Sequence, residues 1–144
     1  MKEKTWYAGL GIAACVGLDW AMDKHAITEK DLESGQRERC QLGNTPEAVE
    51  HWAAALAVRF GGRPVAVALE QSRGAVIGML SKYAHLILFP VHPKTLADYR
   101  MALHPSGAKD DPTDADLLQE FLQLHGDRLR MWQPDTEAHV ACNG

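Results

Sequence analysis

Apolar residues in this chain fall into short continuous runs that alternate with stripes at helical spacing. Residues 15–18 read Cys-Val-Gly-Leu and are closed by Asp19. An apolar run of this length bounded by polar residues predicts a buried strand. Residues 25–32 and 37–42 predict a second and a third strand around the turn Glu33-Ser34-Gly35-Gln36. Their Glu, Lys and Asp content makes them weaker strand formers than the first. Thr45 then marks a helix start, because its hydroxyl can accept an unpaired amide and Pro46 fits the first helical position. Val49, Trp52, Ala53, Leu56 and Phe60 recur at helical spacing until Gly61-Gly62 stops the helix.

The second half repeats this alternation. Residues 65–69, Val-Ala-Val-Ala-Leu, predict a strand buried on both faces that ends at Glu70. After a turn at 71–74, residues 75–84 predict a helix with Val76, Met79, Leu80 and Tyr83 facing inward. Residues 85–91 predict a strand closed by His92-Pro93, and 94–103 a helix. A polar loop follows at 104–109. A last helix is expected from Asp111 to His125, with Asp111 as its cap ahead of Pro112 and Leu117, Leu118, Phe121, Leu122 and Leu124 as its apolar set. Residues 129–132 predict a short strand or turn. Strands joined through helices pair in parallel, whereas the first three can pair as an antiparallel meander. The expectation is an α/β fold with a mixed five-stranded sheet flanked by helices.

Composition narrows the class. A chain of 144 residues suits one domain, and 46% hydrophobic with 24% charged residues fits a globular one. The three cysteines are odd in number and lack zinc spacing, which argues against a disulfide scaffold or structural zinc and fits a reducing cytoplasm. The seven histidines form no His-Glu-x-x-His set. Ile12-Ala13-Ala14-Cys15 looks like a lipoprotein cleavage box, yet processing there would cut just ahead of the best strand. The apolar stretch 6–18 is too short to span a bilayer, so no membrane partner is expected. The formal net charge of -4 argues against gripping nucleic acid by charge alone. It leaves room for a site in which divalent cations offset carboxylates.

The acids point to such a site. Ligands gather at the C-terminal ends of strands in α/β sheets, and Asp19 and Glu70 each close an apolar run. The segment Lys109-Asp110-Asp111-Pro112-Thr113-Asp114-Ala115-Asp116 adds more. Asp111 and Asp114, three apart, would share a helix face. Hard cations such as Mg2+ or Mn2+ take oxygen ligands, and two ions about 3.5–4 Å apart can clamp a phosphodiester. Asp19, Glu70, Asp111 and Asp114 are therefore the candidate catalytic and metal-binding set for two ions. Rival roles exist: Asp19 can end a strand in a turn, and Asp111 and Asp114 can serve as cap and first-turn acid. Asp110 and Asp116 read as solvated. Lys24, Arg73, Lys94 and Lys109, with Lys82 and Arg100, lie near the flanking loops as phosphate contacts or as plain surface charges. Trp20 reads as a base-stacking or a core aromatic, and His92 and His104 as proton carriers or surface residues.

The stretches Val16-Gly17-Leu18-Asp19-Trp20-Ala21, Ala68-Leu69-Glu70-Gln71-Ser72, Val91-His92-Pro93 and Lys109-Asp110-Asp111-Pro112-Thr113-Asp114-Ala115 carry a resemblance. Over residues 16–124 the chain resembles the N-terminal domain of DEDD transposases of the insertion-sequence 110 type, which include the pilin-gene-inverting recombinases. The resemblance implies an RNase H-like (RuvC-like) fold, with catalytic acids at Asp19, Glu70, Asp111 and Asp114. It also implies DNA cleavage and strand transfer in transposition or site-specific recombination, with DNA as substrate and a guide RNA as a further partner. Arg73-Gly74-Ala75 stands where the family has Thr-Gly-Gly, and His92 where it has Asn; neither change removes an acid. Family members carry a second domain with a serine proposed to attack DNA. Residues 1–14 are therefore expected to be an extension, 15–137 the DEDD domain, and 138–144 a tail towards an absent C-terminal domain. On that reading the chain is a truncated form, inactive alone, and the full-length protein is a homo-oligomer. Two alternatives stay open: a non-catalytic nucleic-acid-binding or dimerisation module, and half of an actin-like or sugar-kinase ATPase. The ATPase would want a Gly-rich loop after Asp19, where Trp20-Ala21-Met22 stands.

Overall fold

A computed structural model describes residues 5–103 and 112–133. Five strands, β1 (Ala14–Asp19), β2 (Lys24–Asp31), β3 (Arg37–Gly43), β4 (Val65–Glu70) and β5 (Leu86–Val91), form one sheet in the order β3-β2-β1-β4-β5. The pairs β1–β2 and β2–β3 are antiparallel, and β1–β4 and β4–β5 are parallel. This is the mixed sheet expected from the connections: hairpins where loops are short, parallel pairs where a helix intervenes. Four helices cover it: α1 (Pro46–Arg59), α2 (Gly74–Leu80), α3 (Pro93–Leu103) and α4 (Asp114–His125).

Each face of the sheet has its own core. Ala14, Val16 and Leu18 of β1 and Val65, Val67 and Leu69 of β4 pack with Val49, Trp52 and Leu56 of α1 and Val76, Ile77 and Leu80 of α2. On the other face Cys15, Ala66, Ala68 and Phe89 pack with Leu96 of α3 and Leu117, Leu118 and Leu122 of α4. Both central strands are buried on both sides, which explains their unbroken apolar runs. Helix α1 starts as predicted: the Thr45 hydroxyl accepts the Ala48 amide at 3.1 Å, with Pro46 at the first position. Helix α2 is shorter than predicted, ending at Leu80, and Ile77 is buried where Met79 and Tyr83 are only partly so.

Two other expectations change. Residues 5–13, read as part of an extension, are docked on the α4 face. Trp6 donates its indole N–H to the Gln123 carbonyl at 3.0 Å and packs edge-on against Phe89, and Ile12 and Ala13 are buried. A Cβ at Gly126 would overlap the Trp6 ring, so the absence of a side chain there makes the dock possible. Residues 129–132 form no strand. They follow a 3-10 turn (Gly126–Arg128), and the Trp132 amide donates to the Leu88 carbonyl of β5 at 2.8 Å.

Candidate metal centre

Strand register and side-chain alternation bring Asp19 and Glu70 together. Strands β1 and β4 pair from Ala14 opposite Val65 to Gly17 opposite Ala68. The pairing stops two residues short of both acids, and the Glu70 charge acts on Asp19 across the strand ends. Side chains alternate between faces along a strand. Cys15 and Ala66 face α4, so Gly17 and Asp19, and likewise Ala68 and Glu70, face it too. Gly17 is what allows α4 to come so close. A Cβ there would overlap the Ala115 carbonyl oxygen and the Gln119 amide nitrogen. The first residue of α4 is Asp114, so close contact at Gly17 delivers a third acid to the end of β1.

The electrostatics register this proximity. Burial pushes the Asp19 carboxyl above its ordinary value, the charges of Asp114 and Glu70 push it further, and Arg73 opposes them. Arg100 of α3 holds Asp114 by an ion pair of 2.6 Å and donates to the Pro112 carbonyl at 3.0 Å, strapping the entrance of α4. Glu70 receives a long bond from the Ser72 hydroxyl at 3.5 Å. Asp19, Glu70 and Asp114 thus bring carboxylate oxygens, the donor type that hard divalent cations take, to one edge of the sheet, with Arg100 paired to Asp114 and Arg73 partly offsetting Asp19. Among the described residues, no three His, Cys, Asp or Glu side chains close into a cage around an ion. Asp111, the fourth acid expected, lies outside the described residues.

The start of α4 corrects two sequence expectations. The cap is Thr113, whose hydroxyl accepts the Asp116 amide at 3.1 Å, while the Asp116 carboxylate accepts the Thr113 amide at 3.3 Å. This reciprocal capping box sits two residues later than the Asp111-Pro112 start. The described helix therefore begins at Asp114, and the spacing argument that joined Asp111 and Asp114 on one face loses its basis. Asp116, read as solvated, is 2% exposed. Its carboxylate takes a bidentate pair from Arg39 at 2.9 and 3.0 Å and a bond from the Thr28 hydroxyl at 2.7 Å, with Arg37 at 3.5 Å. Burial alone would raise this carboxyl, but Arg39 and Thr28 hold it down to about 2. The Thr-x-x-Asp spacing could have signalled its capping role, though not its burial. The network ties α4 to β2 and β3, and so fixes where Asp114 stands.

Behind Asp19, the β1–β2 turn is braced by a buried histidine. His25 Nδ1 accepts the Ala21 amide at 2.9 Å, which leaves Nε2 to donate to Asn44 Oδ1 at 3.2 Å. Asn44 in turn donates to the Met22 carbonyl at 2.8 Å, and Trp20 stacks on the His25 ring at 3.5 Å. Burial lowers the His25 pKa, so the neutral ring is the one that fits. Of the basic residues singled out, Arg73 stands at the N-terminal end of α2 beside Asp19. Lys24 opens β2 and is exposed. Lys94 pairs with Asp98 at 3.1 Å on the surface of α3. His92 accepts the Lys94 amide through Nδ1. Lys109 and His104 lie outside the described residues.

A mixed β3-β2-β1-β4-β5 sheet flanked by helices, with acids ending its two adjacent central strands, defines an α/β domain of the RNase H-like class. The chain belongs to the DEDD transposases of the insertion-sequence 110 family, whose transposase model matches residues 16–141. No curated protein matches the chain. Membership makes this a transposase domain with DNA as its substrate class, and it removes the sugar-kinase alternative. No helix among the described residues is long and apolar enough to cross a membrane.

Proposed function

We propose that this domain performs metal-dependent DNA cleavage and strand transfer, with Asp19, Glu70 and Asp114, joined by Asp111, as the acids that hold Mg2+ or Mn2+. The observation that carries the reading is that Asp19 and Glu70 end two neighbouring parallel strands, and that the charges of Glu70 and Asp114 both act on Asp19. A pair of divalent cations, when bound, supplies charge stabilisation for the attacking and leaving oxygens of a phosphodiester. The chain's own residues do the positioning. The paired strands fix Asp19 and Glu70 on a rigid sheet. Arg100 and the Asp116 network hold the first turn of α4 so that Asp114 keeps its distance from both. Arg73, beside Asp19, is placed to meet a phosphate of the strand entering the site. The same reading carries multimeric assembly, since cutting two DNA ends takes more than one active site, and a guide RNA as a further partner.

The test is strand exchange by a transposase carrying this domain. Asp19→Ala and Glu70→Ala are each expected to abolish recombination while leaving the circular dichroism spectrum and cooperative unfolding intact. Normal recombination by either variant would sink the assignment. The open spacing of the described acids favours one second reading, a nucleic-acid-binding module without chemistry. That module would keep full function in both variants.

A further inference from the structure

Next to the acids lies a cleft that shares only Arg73 with the proposed cleavage site. It measures about 330 Å³ and is lined by Trp20, Ala21, Met22, Asn44 and Arg73. Its two walls differ in chemistry. One is the β1–β2 turn, where Met22 stands 87% exposed beside the indole of Trp20. The other is the exposed guanidinium of Arg73, which is close enough to Asp19 to offset its charge. An exposed methionine on a turn is ordinarily free to move, but this turn is pinned from below. His25, 0% exposed, accepts the Ala21 amide, and Asn44 bridges His25 to the Met22 carbonyl. Trp20 is locked by stacking on the same histidine. These contacts hold the Trp20 indole and the Met22 backbone in place, so the indole is a fixed apolar surface on which a flat ligand loses little conformational entropy.

The geometry points to a nucleotide subsite: Trp20 and Met22 receive a base flanking the scissile phosphate, and Arg73 holds the phosphate next to it. A nucleotide needs an apolar surface for the base and a cation for the phosphate, and the cleft lining offers both, with Arg73 adjoining Asp19. Polarizable methionine and aromatic surfaces take any base, so the subsite would grip DNA without reading its sequence. The inference rests on the proposed DNA-cleaving role of the adjoining acids, but its base-binding side chains, Trp20 and Met22, are not among them and have their own readout.

The test uses the chain itself and fluorescein-labelled single-stranded DNA of about 10 nucleotides, intact or carrying abasic positions, with anisotropy as the signal. Affinity is measured with calcium and again in chelator. The intact strand is expected to bind more tightly than the abasic one in both conditions. Met22→Ala, on an exposed side chain, should shrink that preference about threefold to tenfold without altering the unfolding curve. Arg73→Gln should weaken both strands alike and lower the salt slope by about 1. The subsite is overturned if wild type binds neither strand, if intact and abasic strands bind equally, or if either variant matches wild type. Calcium dependence reports separately on the acids: base preference without any calcium effect would sink the metal reading and leave the subsite standing.

Discussion

Asp19 works against the fold that holds it. Burial and two neighbouring acids raise its pKa, so the folded chain binds that proton more tightly than the unfolded chain does. Its destabilising effect is therefore full at neutral pH, fades as pH falls through the raised value, and is gone below the ordinary 3.8. Asp19→Asn should accordingly be more stable than wild type in urea denaturation at neutral pH in chelator, and the advantage should vanish in acid. A variant less stable than wild type at neutral pH would mean that the carboxylate is structural. Asp19 and Glu70 were legible in the sequence because each interrupts an apolar run that has no other reason to end in a charge. Asp116 was not. Its partners Thr28 and Arg39 lie 88 and 77 residues away, and nothing within its own segment separates a buried acid from a solvated one.

At the scale of elements, the contact that builds the site is α4 on β1. Gly17 has no side chain where the Ala115 carbonyl and Gln119 amide pass. Both obstacles are backbone, so an added methyl can be accommodated only by moving the helix. Gly17→Ala is expected to cost about 3 kcal/mol, the upper end for overpacking, read from the urea midpoint. The same substitution should displace Asp114 from Asp19 and weaken any ion bound between them. Wild-type stability in Gly17→Ala would contradict the close approach. In the sequence Gly17 was one residue of an apolar run, and its role depends on a helix that begins about a hundred residues later. The start of that helix was ambiguous for a related reason. Asp111-Pro112 and Thr113 with Asp116 are both sound capping signals, and the pair between buried Asp116 and Arg39 favours the second. Helix α1 had one signal, Thr45-Pro46, and was placed correctly.

For the molecule as a whole, the order of elements was the most legible property. Short polar turns implied hairpins and intervening helices implied parallel pairs, which together fix a sheet of this topology. The docking of residues 5–13 escaped notice because Trp6 meets its partner Gln123 across 117 positions. The molecule carries its negative charge unevenly: the buried carboxylates of Asp116 and Glu29 are neutralised by arginines that reach in from the surface, whereas Asp19 and Glu70 have no ion pair among the described residues. Unpaired acids on the rim of a rigid sheet invite cations from solution; among the described residues Arg100 pairs with Asp114 and Arg73 partly offsets Asp19 at that rim. The most direct test is anomalous diffraction from crystals of the protein soaked in manganese. The account predicts one or two ions at the C-terminal ends of β1 and β4, with carboxylate oxygens of both Asp19 and Glu70 about 2.0–2.2 Å from metal. Manganese absent from that edge, or Asp19 and Glu70 carboxylates more than about 10 Å apart where two-ion chemistry needs about 4 Å between ions, would contradict it.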